Sequence, residues 1–157
     1  MRHSDDQAFE TQVDKAIQIY ETLQTRHTII VVGPTGGGKT TVTEALAAGM
    51  AVAPINRSVK IHVMNPKAQP VLELYGELDP ATREWTDGIL SNKFRSLNEP
   101  LPASRANEMR WLVFDGDVDA VWIENMNSVM DDNKTLTLPN SERIQLQDYT
   151  KLFVETF

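Results

Sequence analysis

Eight consecutive residues in the first third of the chain have the types and spacing needed to bind phosphate. They are Gly33, Pro34, Thr35, Gly36, Gly37, Gly38, Lys39 and Thr40, and they fit the pattern G-x-x-x-x-G-K-S/T. Glycines allow backbone N–H groups to turn toward phosphate oxygens, and a helix that begins there adds the positive end of its dipole. In this interpretation Lys39 reaches the β- and γ-phosphates, the Thr40 hydroxyl ligates Mg²⁺, and the Thr41 hydroxyl donates to the α-phosphate. The pattern therefore predicts a site for ATP or ADP with Mg²⁺.

The residues that flank this loop predict the two elements that it requires. Residues 28–32 are an apolar, β-branched run typical of a buried strand, and residues 40–47 have apolar side chains at helical spacing. Strand, glycine-rich loop and helix follow one another in the order that phosphate binding needs. A glycine-rich turn that happens to precede a surface lysine does not account for this order.

A second acidic group is predicted where another apolar strand ends. Residues 111–114 are apolar, and Asp115 follows them directly. ATPases with this type of loop hold Mg²⁺ with an aspartate at the end of a neighbouring strand. An acid at a strand end is common in α/β proteins, but beside the loop at residues 33–40 we interpret Asp115 as a metal ligand together with Thr40.

The residue after Asp115 is Gly116, where hydrolysing members of the ring-forming ATPase class have a glutamate that orients or deprotonates the attacking water. Glycine has no acceptor group, and loss of a positioned base costs about 10²–10⁴ in rate. Asp117 and Asp119 are not assigned as bases, and Glu124 is interpreted as a solvated charge. We therefore assign no catalytic residue and predict that ATP is hydrolysed slowly or not at all.

The composition is that of a globular chain. Its 157 residues are 41% hydrophobic and 24% charged, with a net charge of −7 and no cysteine. The negative charge argues against a nucleic-acid-binding face, and no apolar run approaches the roughly 18 residues that suggest a membrane span. The length predicts one domain over residues 1–157, with residues 1–26 as a leading helical segment.

The hydrophobic periodicity predicts helices that alternate with strands. Strands are expected at residues 28–32, 59–64, 111–115 and 151–156, and helices near residues 5–25, 39–50, 87–97 and 118–131. A β-hairpin is expected where Leu136 and Leu138 alternate and then Ile144 and Leu146 alternate back. This arrangement predicts an α/β fold with a parallel sheet flanked by helices. On the amphipathic first helix the apolar face is expected to comprise Phe9, Val13, Ala16, Ile17 and Tyr20.

Several long sequence strings resemble the heavy chain of dynein, and within it the second AAA+ module of the motor ring. They are the runs 65–68, 74–79, 83–90, 111–119, 122–134 and 136–138, among which Asp115-Gly116 is itself a trait of that module. The sequence of residues 123–130 resembles that of axonemal heavy chains, those of the outer arm in particular. The resemblance implies a P-loop NTPase fold, the AAA+ large subdomain with an inserted β-hairpin, truncated so that it lacks the fifth strand and the helical lid.

The resemblance also implies a sheet order of 5-1-4-3-2, so the strand at residues 28–32 should be an exposed edge. It implies a structural or regulatory role for the nucleotide, with neighbouring AAA+ modules, other dynein chains and, through the parent motor, microtubules as partners. The implied location is the cytoskeleton, in the axoneme of a cilium or flagellum. Partners among nucleic acids or membranes are not expected.

Two other functions remain open from the residues alone. A stand-alone phosphotransferase or ATPase could use the same loop, although no arginine cluster follows the helix near residues 118–131. A pure interaction module with an empty loop is the other alternative, against which the intact Lys39 and Thr40 argue.

Overall fold

The structure is a computed structural model that describes residues 2–33, 39–66, 70–116 and 120–156. The helices are α1 (Arg2–Leu23), α2 (Lys39–Met50), α3 (Val71–Tyr75), α4 (Ile89–Leu97) and α5 (Ala120–Met130). The strands are β1 (Thr28–Val32), β2 (Val59–Met64), β3 (Gly76–Leu78), β4 (Trp85–Asp87), β5 (Met109–Asp115), β6 (Thr135–Thr137), β7 (Arg143–Gln145) and β8 (Thr150–Thr156). None of the helices in these ranges is long and apolar enough to cross a membrane.

The main sheet has four parallel strands in the order β1-β8-β5-β2. This confirms the predicted parallel sheet, and the order agrees with the 1-4-3-2 part of the order implied by the resemblance. Because the strands are parallel, their carboxyl ends meet at one edge of the sheet. Within the described residues β1 pairs with β8 on one side and lies at the end of the sheet, so the expected exposed edge is confirmed too.

The sheet is covered on both faces, which explains why the middle parts of its central strands, residues 111–114 of β5 and 152–154 of β8, are apolar. Helices α1 and α2 pack on one face, where Trp111 of β5 and Phe153 of β8 stack with their ring centroids 4.6 Å apart. Helices α3, α4 and α5 and the β6–β7 hairpin pack on the other face, around Leu112 and Phe114. Successive residues of a strand point to opposite faces, so the odd-numbered residues of β5 face α2.

The buried face of α1 differs from the predicted one. Val13 is 41% exposed and Ile17 is 50% exposed, whereas Ile19 and Leu23 are buried. Among the described side chains of α1, those in this cluster are Ala16, Ile19, Tyr20 and Leu23, so the last turns of α1 contact the sheet and α2. Ala16 and Tyr20 agree with the predicted face, and the side chain of Phe9 lies outside the described residues. Periodicity identified an amphipathic helix but did not show which part of it would be covered.

A second hairpin, β3–β4, lies in a region where the sequence patterns predicted no strand. Its turn is closed by the Asp79 side chain, which accepts backbone N–H bonds from Ala81 at 2.8 Å and Thr82 at 3.0 Å. The backbone N–H groups of Thr82 and Ala81, in that order, hold the pKa of Asp79 below its usual value. Short three-residue strands carry too little alternation to be recognised in a sequence.

Helix α4 therefore begins at Ile89 and not at Asp87, which belongs to β4. The N-cap residue, just before the helix, is Gly88, whose backbone N–H donates to the Ser91 hydroxyl at 2.8 Å. Leu90 and Phe94 are buried, whereas Ile89 is 48% exposed. The shift of the helix start leaves Ile89 on the outer side of the first turn.

Arg95 of α4 connects the two hairpins. Its guanidinium group lies 2.6 Å from the Asp87 carboxylate and 2.8 Å from the Glu142 carboxylate. Hydrogen bonds from Arg95 are the main cause that lowers the pKa of both Asp87 and Glu142. All three side chains are about one-third exposed, so solvent screens the pairs and they contribute little stability. They orient the hairpins relative to α4.

The exposed edge of β1 should make the protein associate weakly at high concentration, and Val32→Lys should reduce that association. Ile30 and Val32 are 57% and 70% exposed, and an apolar edge strand is a template for pairing with another chain, which a lysine opposes. Sedimentation velocity over a range of concentrations measures the effect. Val52→Lys is the control, since Val52 is 59% exposed but lies outside the sheet. A wild-type chain that stays monomeric at millimolar concentration would contradict the prediction.

Candidate functional site

The carboxyl edge of the main sheet brings the two predicted halves of the site together. Gly33 follows β1, α2 begins at Lys39, and Asp115 is the last residue of β5. Residues 34–38 of the predicted loop lie outside the described residues. For Lys39 and Thr40 only the backbone is described, as the first two residues of α2. Thr41 is exposed in the first turn of that helix. The placement of these residues agrees with their predicted roles, which remain predictions.

Strand β8 lies between the strands that carry the two halves and bonds to the chain beyond each of them. The Gly33 N–H donates to the Thr156 carbonyl at 3.0 Å, and the Gly116 N–H donates to the Glu155 carbonyl at 3.2 Å. These bonds continue the parallel ladder one residue past β1 and past β5. The end of β8 therefore fixes where the phosphate loop starts and where the chain leaves Asp115.

Asp115 lies on the sheet face that α2 covers. It is exposed, and its partner in register on β8 is Glu155, which is 2% exposed. Residues in register on neighbouring strands point to the same face, and the Thr43 hydroxyl of α2 donates to Glu155 Oε1 at 3.2 Å. Two acidic residues thus lie side by side in the sheet at its carboxyl edge, on the face covered by the helix that begins with Lys39 and Thr40.

The donor types around this edge suit Mg²⁺ with a triphosphate. Magnesium prefers oxygen ligands and is usually held by one or two carboxylates plus phosphate oxygens, and Asp115 presents such a carboxylate at the strand end. Among the described residues no group of three or more acidic or histidine side chains forms an all-protein metal cage.

The residue that follows Asp115 adopts a backbone conformation that favours glycine. Gly116 has φ +145°, and a Cβ atom there would lie 3.1 Å from Asn65 Oδ1. Asn65 follows β2, the strand next to β5, so its side chain occupies the space above Gly116. The backbone conformation of Gly116 and the position of the Asn65 side chain both disfavour a side chain at position 116.

The other acidic residues considered from the sequence are Glu124, Asp117 and Asp119. Glu124 is exposed on α5, in agreement with its interpretation as a solvated charge. Asp117 and Asp119 lie outside the described residues. That the site has no catalytic residue stays a prediction.

Three residues of the site were not singled out from the sequence: Thr43, Asn65 and Glu155. The visible signal for Glu155 was a single acid at the end of the apolar run of residues 152–154. A buried strand rarely contains an ionisable residue without a partner or a function. For Thr43 and Asn65 the sequence has no such signal, because threonine and asparagine are common at helix starts and strand ends.

Family comparisons agree with this geometry. The family described as the AAA domain (dynein-related subfamily) matches residues 28–157. A second family, described as the hydrolytic ATP binding site of the dynein motor region, matches residues 1–40 and so ends before Asp115 and Gly116.

Curated relatives are similar over most of this chain. The sequence is 61% identical over 93% of the chain to the dynein-1-alpha heavy chain of the flagellar inner arm I1 complex from Chlamydomonas reinhardtii. It is 54% identical over 92% of the chain to human dynein axonemal heavy chain 10, and 44% identical over 92% to mouse cytoplasmic dynein 2 heavy chain 1. The identity to an inner-arm chain does not support the resemblance to outer-arm chains that was noted for residues 123–130.

The chain spans about 3% of the length of each of these relatives. The subfamily match nevertheless covers all four strands of the main sheet, and the strand order is the one that the resemblance implied. The chain therefore belongs to the dynein-related subfamily of AAA domains, as part of the AAA region of a dynein heavy chain.

Proposed function

We propose that this chain is the second AAA+ module of a dynein motor ring and that it binds ATP or ADP with Mg²⁺ but hydrolyses ATP slowly or not at all. The observation that carries this proposal is the carboxyl edge of the sheet. It places Gly33, the start of α2 and Asp115 together, while the position after Asp115 is a glycine with φ +145°. In this proposal the site has the groups that bind a nucleotide but lacks the catalytic base that would activate water for hydrolysis.

Each residue has a defined part in binding. The backbone of residues 33–38 offers N–H groups to the phosphates, and Lys39 contributes a positive charge beside the β- and γ-phosphates. Bound Mg²⁺ neutralises phosphate charge, and the Thr40 hydroxyl and the Asp115 carboxylate would hold it. Gly116 offers no acceptor to an attacking water, so the phosphate bond persists.

In the intact heavy chain the bound nucleotide then acts as a structural or regulatory element of the ring. Its partners are the neighbouring AAA+ modules of the same heavy chain, other dynein chains and, through the whole motor, microtubules. The names of the relatives, which include a flagellar inner-arm chain and an axonemal chain, support the axoneme of a cilium or flagellum as the location.

Lys39→Ala should weaken the binding of both Mg·ATP and Mg·ADP by about tenfold to 100-fold. A hydrogen bond to a charged group is worth about 1.5–3 kcal/mol, which corresponds to that range. Isothermal titration of each nucleotide into the chain measures the effect, and Lys60→Ala is the control, since Lys60 is an exposed lysine on β2. Wild-type protein that binds neither nucleotide, or a Lys39→Ala variant that binds both normally, would overturn the proposal.

The proposal that ATP is hydrolysed slowly or not at all needs a separate measurement, made in the full heavy chain with its other nucleotide sites disabled. We expect steady-state turnover well below about 1 s⁻¹, the lower end of typical enzyme rates. A turnover at or above that rate would show that another group supplies the base, and would leave the binding part of the proposal standing.

A further inference from the structure

Glu155 is a buried acidic residue at the carboxyl end of the central strand β8. Its side chain is 2% exposed, and the Thr43 hydroxyl donates to its Oε1 atom at 3.2 Å. Burial of a carboxylate is costly unless other groups compensate for it. An acid that is buried directly after the apolar residues 152–154 requires a physical reason.

The surroundings of Glu155 place it inside the nucleotide site. On β8 it is in register with Asp115 of β5 on one side and with Val31 of β1 on the other. Its side chain faces α2, and Thr43 lies one helical turn after Thr40. Neighbouring strands are about 4.8 Å apart, so Glu155 lies beside Asp115 in the sheet. The bond from Thr43 holds the Glu155 carboxyl group against the first two turns of α2.

This position has an electrostatic consequence for an anionic ligand. A carboxylate close to the phosphates repels a nucleotide that arrives without a cation and attracts the cation of a nucleotide that arrives with one. The interaction is strong at a buried group, since the effective dielectric constant there is far below that of water. The same negative charge therefore disfavours free ADP and favours Mg·ADP.

We propose that Glu155 is a positioning residue of the nucleotide site, a second carboxylate beside Asp115 that makes nucleotide binding depend on a divalent cation. This inference rests on the proposed function, because it assumes that a nucleotide binds at the start of α2. It adds a residue that the phosphate-binding pattern does not contain and assigns to that residue a preference for cation-bound nucleotide.

The test compares the affinity for ADP in the presence of Mg²⁺ with the affinity in excess EDTA. In Glu155→Gln the side chain keeps an oxygen that accepts from Thr43 but loses its charge. We expect the ratio of the two affinities to fall by about tenfold or more, with ADP in EDTA binding more tightly than to wild type. Glu155→Asp keeps the charge, and its ratio should stay within about threefold of the wild-type ratio.

Thr43→Val is the control for a purely structural role. It removes the hydrogen bond to Glu155 and keeps the carboxylate, so it should lower the thermal stability without changing the ratio. An unchanged ratio in Glu155→Gln, or a ratio in Glu155→Asp that falls tenfold, overturns this inference while the proposed function stands. If Glu155→Gln does not fold, the Glu155→Asp measurement decides. Absence of ADP binding to wild-type protein under both conditions overturns both.

Discussion

Gly116→Glu should destabilise the protein by about 1–3 kcal/mol and should not restore rapid ATP hydrolysis, although it introduces the acid found in hydrolysing relatives of the ring-forming class. Gly116 has φ +145°, a conformation that residues with a side chain rarely adopt. In addition, a Cβ atom at this position would lie 3.1 Å from Asn65 Oδ1. An added side chain therefore strains the backbone at position 116 and displaces the Asn65 side chain. We expect this strain to hold the new carboxylate away from the position that a base needs.

The measurement has two parts, urea unfolding and steady-state release of phosphate from ATP. Gly116→Ala is the matched control, because it introduces the same backbone strain without a carboxylate. Asn65→Ala in the Gly116→Glu background removes the close side chain, so it should recover part of the stability if that contact contributes. A Gly116→Glu protein as stable as wild type, with turnover near 1 s⁻¹, would show that the segment accommodates the base after all.

Gly88→Ala should destabilise the protein by roughly 3 kcal/mol or more. A Cβ atom on Gly88 would overlap the Leu74 carbonyl oxygen and the Gly76 amide nitrogen. Both are backbone atoms, so no side-chain rotation relieves the overlap. Gly88 connects β4 with α4, and the substitution must push the β3–β4 hairpin away from the core around Leu90 and Phe94.

Gly49→Ala provides the opposite control for this substitution. Gly49 lies in α2, and no atom comes within 4 Å of a Cβ atom at that position. Alanine in a helix is favoured over glycine, so this variant should gain about 0.5–1 kcal/mol. Thermal unfolding of both variants is the measurement. Similar melting temperatures for Gly88→Ala and Gly49→Ala would contradict the close approach between Gly88 and residues 74–76.

Local sequence was sufficient for the strands of the main sheet, whereas the phosphate-binding groups of residues 33–40 stay a prediction. Each sheet strand was recognised as a continuous or alternating apolar run, and the β6–β7 hairpin was recognised from two alternating pairs separated by a turn. The β3–β4 hairpin was missed because strands of three residues have almost no period. The start of α4 was misplaced by two residues, since the capping group is the hydroxyl of Ser91 inside the helix.

The strand order shows a different kind of limit. It was expected from the resemblance to a family and not from periodicity, which carries no information about which strands are neighbours. Pairing of β8 with both β1 and β5 joins residues that are about 40 to 125 positions apart in the chain. Such contacts depend on the packing of the whole domain.

The sequence alone determined the chemistry that this protein has available: a glycine-rich loop with a lysine and a threonine, an aspartate after an apolar strand, and a glycine in place of the base. These are properties of residue types and of short spacings in the sequence. Local stereochemistry is enough to form the strand before residue 33 and the helix that begins at Lys39. The tertiary structure decided that Glu155 stands beside Asp115, that Asn65 lies over Gly116, and that Val13 and Ile17 remain exposed. It did so because apolar burial and strand pairing act between segments that are distant in the chain.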